Sequence, residues 1–171
     1  MGALASGAAA AVGTGAFSSV TATRDVDVEV ADDASAYLRL QGTGGANSDY
    51  VTDDGDGGML TIDLSSSNSG VSGGGGGVNP DAVTKIDNVF TVENQGTQEV
   101  SVGLSKAGEN ESLVEFYSNK DYSGSPLSDS DETLGTGDST EVSIKIDTEG
   151  ESVSDGDELL DSVTFSATAT N

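Results

Sequence analysis

The chain contains no histidine, no cysteine and no tryptophan, and 6 basic side chains face 30 acidic ones across 171 residues. Each absence excludes some chemistry. Without histidine, no Ser-His-Asp or Cys-His nucleophile can be assembled. Without histidine and cysteine there is no imidazole or thiolate zinc site, and without cysteine no disulfide framework. Basic residues are too few, and the net charge of -24 too negative, for a nucleic-acid partner, because a phosphate backbone would be repelled. Aromatic residues make up 5% and none is tryptophan, so the platform that a glycosidase site usually needs is poorly supplied. These absences point away from an enzyme and towards a structural or binding protein.

What is present is acid, glycine, serine and β-branched residues. The carboxylates are spread along the whole chain rather than gathered in a tail. At low ionic strength such a charge strains any compact state by self-repulsion. In molar salt the Debye length falls to about 3 Å and that strain largely vanishes. A halophilic, archaeal origin is the economical reading; a surface for cations or for a basic partner is the functional alternative.

Hydrophobic residues, 34% of the chain, alternate with polar ones in repeated short runs. Val20, Ala22, Arg24, Val26, Val28 and Val30 share one parity, while Thr21, Thr23, Asp25, Asp27 and Glu29 take the other. That is the pattern of a half-buried strand with an acidic outer face. Further runs are Ala36-Leu38-Leu40, Leu60-Ile62-Leu64, Phe90-Val92, Val100-Val102-Leu104, Val114-Phe116, Val142-Ile144-Ile146 and Val163-Phe165-Ala167-Ala169. The tetrad Asn94-Gln95-Gly96-Thr97 predicts a hairpin between the Phe90-Val92 and Val100-Val102-Leu104 runs. Helical character is confined to short pieces near Pro80 to Ile86 and Asp157 to Leu160. About eight short strands joined by polar turns predict an all-β fold, an antiparallel jelly-roll or immunoglobulin-like β-sandwich.

Two stretches read as flexible Gly/Ser-rich loops, residues 42–58 and 65–79, the second with consecutive glycines from Gly73 to Gly77. Neither has the ending of a phosphate-binding loop. Asp53, Asp54 and Asp56 resemble the opening of a calcium loop. Gly58 and Ser65, however, stand where further ligands belong. Asp129-Asp131-Glu132 and Asp155-Asp157-Glu158 are similar clusters. Calcium is the only candidate cofactor; a solvated acidic surface accounts for the same residues. Asn110-Glu111-Ser112 is an N-glycosylation sequon, so Asn110 is a candidate modification site.

Residues 2–17, GALASGAAAAVGTGAF, carry no charge. They are too short for a membrane span, which takes about 20 apolar residues. They read as the remnant of a secretory signal lacking its cationic start, or alternatively as an Ala-rich helix or tail. The expected organisation is a signal remnant over residues 1–17, an N-terminal strand over 18–30 and a β-sandwich over 31–171.

The opening GAAAAVGTGAFSSVTATRDVDVEV resembles the start of haloarchaeal secreted proteins with a SipW-type signal. The segment Phe90 to Val100, the block Gly137 to Val142 before Ile146-Asp147-Thr148, and the closing Leu160 to Thr168 resemble TasA/camelysin-like and archaeal bundling-pilus subunits. The resemblance implies a secreted subunit that polymerises head to tail. The N-terminal strand of one copy, with Val20, Ala22, Val26 and Val28 as its inward side chains, would complete the sandwich of the next. The expected product is an extracellular filament, of a pilus or biofilm matrix, whose partners are further copies, neighbouring filaments or the cell envelope, with no stable membrane span once the signal is removed. A protease label attached to camelysins does not transfer, since no histidine is available for a zinc site. The alternatives are an ordinary first strand docked in its own domain, and with it a monomeric surface binding or adhesion module.

Overall fold

The computed structural model describes residues 37–52, 59–72 and 77–170. The elements are all strands and short 3-10 turns: β1 (Leu38–Gly42), β2 (Val51–Thr52), β3 (Thr61–Ile62), β4 (Val83–Asn94), β5 (Val100–Ala107), β6 (Val114–Tyr117), β7 (Glu132–Leu134), β8 (Ser139–Asp147) and β9 (Ser162–Ala169). One sheet has the order β1-β4-β8-β6 and the other β7-β5-β9, with a small β2-β3 hairpin beside them. Every pairing is antiparallel. The β-sandwich expected from the alternating runs is therefore the fold.

Alternation explains which faces meet. On β8, Val142, Ile144 and Ile146 are buried, while Glu141, Lys145 and Asp147 lie towards solvent. Phe90 and Phe116, 0% and 1% exposed, anchor the core. Each buried Val, Ile or Phe contributes about 1.5–3 kcal/mol relative to exposure. Phe165 of β9 meets Phe90 of β4 edge to face, with ring centroids 5.7 Å apart. Leu127 links the other half: its N–H donates to the Phe116 carbonyl at 2.8 Å, and its carbonyl accepts from Leu104 N–H at 3.2 Å. β9 thus lies over the β1-β4 half of the larger sheet, and β5 leans towards β6.

Three local expectations are corrected. Residues 83–86 begin the longest strand, β4, rather than a helix; β-branched Val83, Thr84 and Ile86 suit it, and the turn precedes it at Pro80-Asp81, where Asp81 has φ 54°. Residues 157–160 are also non-helical and follow a turn at Gly156 (φ 93°). The Asn94-Gln95-Gly96-Thr97 turn reverses the chain without making a hairpin. β4 pairs with β1 and β8, β5 pairs with β7 and β9, and the turn carries the chain from one sheet to the other.

Asn94 is the reason the crossing holds. It is 2% exposed. Its Nδ2 donates to the carbonyls of Gln98 (2.7 Å), Leu134 (3.0 Å) and Gly135 (3.2 Å), and its Oδ1 accepts from Gly96 N–H (3.0 Å). One side chain therefore ties the β4-β5 crossing to the β7-β8 crossing. Asn94→Ala is expected to lower unfolding free energy by about 2–3 kcal/mol, since buried carbonyls lose their donor. Urea denaturation in molar salt reads this; an unchanged midpoint would contradict it.

Candidate assembly edge

An antiparallel sandwich leaves backbone N–H and C=O groups unpaired along its outermost strands. Four strands are outermost here: β1 and β6 in one sheet, β7 and β9 in the other. Three of these are short and carry charge. β1 spans 5 residues with Arg39, β6 spans 4 with Glu115, and β7 spans 3 with Glu132. β9 spans 8 residues, SVTFSATA, with no charge and no proline. Among the described residues its one neighbour is β5, matched from Ala107↔Ser162 to Val100↔Ala169. It therefore lacks the charged and proline residues that usually blunt an edge.

Both faces of β9 are unusual. Val163 and Phe165 point to the core and are only half-buried, and Ala167 and Ala169, of the same parity, are exposed. Among the described residues, the core side of this edge is thus open to a further row of apolar side chains. On the outer face, Thr164, Ser166 and Thr168 lie beside Ser105, Gly103 and Ser101 of β5. The Asp131 carboxylate lies directly over Gly103 and accepts from Ser101 Oγ at 2.8 Å. Because Phe165 packs on Phe90 of β4, the edge of β9 away from β5 lies on the same flank as β1.

A second feature lies on the outer face of the larger sheet. Between Ile86↔Ile144 and Phe90↔Val142, β4 advances 4 residues while β8 advances 2, so β4 carries a bulge. Asn88 within it has φ 50°. The bulge is held by four hydrogen bonds. Asn88 N–H donates to Ser143 Oγ (3.0 Å), Thr43 Oγ1 to Asn88 O (3.1 Å), Asn47 Nδ2 to Asp87 O (2.7 Å) and the Tyr122 hydroxyl to Asp87 Oδ1 (2.6 Å). Tyr122 itself has φ 55°, packs edge to face on Tyr117 at 5.5 Å, and lies 4.9 Å beneath Lys85 Nζ. Burial pushes the Tyr122 phenol well above the ordinary 10.0, and its hydrogen bond to the Asp87 carboxylate adds to the effect. Burial and then Glu115 raise Tyr117 in the same direction. Burial opposes the Lys145 ammonium, yet hydrogen bonds to Glu115 and Asp147 outweigh it and hold its pKa above 10.5.

The residues singled out from sequence fall as follows. Val20, Ala22, Val26 and Val28, and the candidate calcium ligands Asp53, Asp54 and Asp56, lie outside the described residues. Asn110 caps the 3-10 turn Glu111–Leu113, is half-buried, and donates through Nδ2 to the Glu158 carbonyl at a long 3.5 Å. The other acidic clusters do not converge. Glu132 accepts from Ser118 and Asp157 from Ser154, and among the described residues no group of three or more carboxylates is placed to hold a metal ion. No helix among them is long and apolar enough to cross a membrane. Sequence reasoning missed the β9 edge and the bulge. The signals were an uncharged run in a chain of -24, and an Asp87-Asn88 break in the alternation between Ile86 and Phe90.

The raised phenols generate a prediction. A phenol whose folded pKa exceeds its unfolded value contributes stability below the unfolded value and loses it as pH rises through the folded one. The phenols' contribution to stability is therefore expected to be level below pH 10.0 and to fall above it. Tyr122→Phe should make the fall shallower, as read by urea midpoints on either side of that pH. An identical fall in the variant would contradict the assignment.

Comparison with known proteins agrees in extent with the β-sandwich. No curated protein matches the chain. Residues 32–170, which include all nine strands, match the family described as "Protein of unknown function (DUF1102)", and the chain belongs to that family.

Proposed function

We propose that this protein is a secreted structural subunit of a halophilic archaeon that polymerises by strand addition into an extracellular filament. The observation that carries the reading is β9: an uncharged, eight-residue open edge whose core-facing Ala167 and Ala169 are exposed. Main-chain groups of an added strand would supply the affinity, and its alternate side chains would fill the space over Val163, Phe165 and Ala167.

The segment 20–30 has matching properties. Val20, Ala22, Val26 and Val28 supply apolar side chains of one parity, interrupted by Arg24 in the same row, and Asp25, Asp27 and Glu29 would face outward. Beside β9 that acidic row would meet Ser162, Thr164, Ser166 and Thr168 rather than carboxylates. β6 and β7 would set Glu115 and Glu132 against it, and like charges across a pair are destabilising. Insertion from one copy into the next is heterologous and does not close, so it yields a filament. Histidine and cysteine are absent, and no catalytic role is proposed.

Electron microscopy of the protein in molar salt tests the reading. The intact chain should form filaments, and a chain lacking residues 18–25 should not. Ala167→Lys places a charge where the added strand would pack. It should abolish filaments while changing monomer stability by less than about 0.5 kcal/mol, as expected of a surface substitution. Monodisperse particles from the intact chain would overturn the filament and leave a monomeric surface binding module. The halophilic part has its own test. The melting temperature should rise as sodium chloride goes from about 0.1 M to 1 M, because the Debye length shrinks from roughly 10 to 3 Å. A flat response would contradict it.

A further inference from the structure

The connection from β5 to β6, residues 108–113, carries the sequence Asn110-Glu111-Ser112. No other asparagine in the sequence has Ser or Thr two residues further on. We propose that Asn110 is glycosylated on Nδ2 during export, by an oligosaccharide delivered from a lipid-linked glycosyl phosphate. The inference rests on the secreted reading above.

Asparagine is common in turns for a purely conformational reason, since its side chain bonds nearby backbone groups. Other asparagines of this fold do so. Asn47 Nδ2 donates to the Asp87 carbonyl at 2.7 Å, Asn68 Nδ2 to the Asp63 carbonyl at 2.7 Å and Asn94 Nδ2 to the Gln98 carbonyl at 2.7 Å. Asn110 differs. It stands at the N-cap of the Glu111–Leu113 turn, yet its side chain makes no capping hydrogen bond. Its Nδ2 reaches the Glu158 carbonyl at 3.5 Å, which is long for an N–H donor. The amide carries two N–H groups, so a sugar can replace one hydrogen and leave the other for Glu158. Ser112, the hydroxyl residue that an acceptor sequence requires, is exposed. Backbone bonds and Lys106 hold the turn without either side chain. Leu113 N–H donates to the Asn110 carbonyl at 3.0 Å, and Lys106 Nζ to the Glu111 and Val114 carbonyls at 2.9 and 2.7 Å. The fold thus leaves the one acceptor amide uncommitted and tolerates a substituent on it.

In the transfer, Asn110 Nδ2 gives up one proton and bonds to the anomeric carbon of the sugar. The bond from that carbon to the phosphate oxygen breaks, and the lipid phosphate leaves with the electron pair. The surroundings of Asn110 show what the glycan would cover. Gly108 crosses so close to Leu159–Asp161 that a Cβ on it would stand 2.8 Å from Leu160 Cα. Asn110 therefore lies against the segment that leads into β9, where Leu159 and Leu160 are only half-buried. Ala107↔Ser162 is the β5-β9 pair at this end. Ala167 lies about 17 Å further along the strand, at about 3.4 Å per residue. A glycan on Asn110 shields the entry to β9 and leaves the open flank at Ala167 and Ala169 clear.

The test is peptide mass spectrometry of the protein isolated from its own cells, with medium and cell-surface fractions kept apart from the cytosol. Trypsin cuts after Lys106 and Lys120 and releases Asn110 on the peptide 107–120. In the exported protein this peptide should be heavier by whole sugar residues. Asn110→Gln and Ser112→Ala should each remove the added mass completely, while Ser112→Thr, which keeps the acceptor sequence, should retain it. The readout is a peptide mass, so it does not depend on how well a variant folds. Exported protein with a bare 107–120 peptide would overturn the proposal and leave the secreted reading standing. Added mass that survives in Asn110→Gln would overturn it as well. Protein confined to the cytosol with a bare peptide would overturn both readings together.

Discussion

The demand that backbone hydrogen-bonding groups be paired governs this molecule. A sandwich satisfies it inside each sheet and defers it to the edges. Three edges are kept short and charged, whereas β9 is long and carries no charge. A chain with 30 carboxylates did not lack residues with which to blunt this strand. The same strand leaves Ala167 and Ala169 exposed on the side that should face a core. Among the described residues this edge has unpaired backbone groups and an open apolar flank, and under the proposed strand addition a strand with alternating valines would complete both at once.

The rest of the fold ties the two sheets together and anchors that edge on the core. Asn94 locks the crossing between sheets through the Gln98, Leu134 and Gly135 carbonyls. Phe90 and Phe165 join β4 to β9. The ion pairs Arg39–Glu93 and Lys145–Glu115, each about a third exposed, add little by comparison. Order in this protein comes from β-branched packing and from buried polar crossings.

Much of the fold was legible in the sequence, because period-2 alternation is a direct imprint of a half-buried strand. Val142-Ile144-Ile146 and Val163-Phe165-Ala167-Ala169 reappear as β8 and β9. What was not legible depends on which strands meet. The Asn94-Gln95-Gly96-Thr97 turn has hairpin chemistry, yet a buried Asn94 side chain turns it into a crossing between sheets. The bulge at Asp87-Asn88 hid the full length of β4, since its extra residues break the alternation. Val83 to Ile86 then resembled a separate short helix. The edge position of β9 is a property of strand order, and no local pattern encodes strand order. The acidic clusters invited a metal reading because composition scatters carboxylates everywhere, whereas a site needs them to converge.

The absence of native cysteine makes one measurement direct. Ala167→Cys is placed in one tagged chain, single cysteines are scanned through positions 20–30 of a second, and the mixture is oxidised in molar salt. A disulfide needs Cβ atoms about 3.8 Å apart, so it reports strand pairing and little else. Strand addition between copies predicts disulfides joining the two tagged chains at alternate scanned positions. If both cysteines in a single chain join only within that chain, and the mixture stays uncrosslinked, the N-terminal segment belongs to its own sandwich and the filament account is wrong.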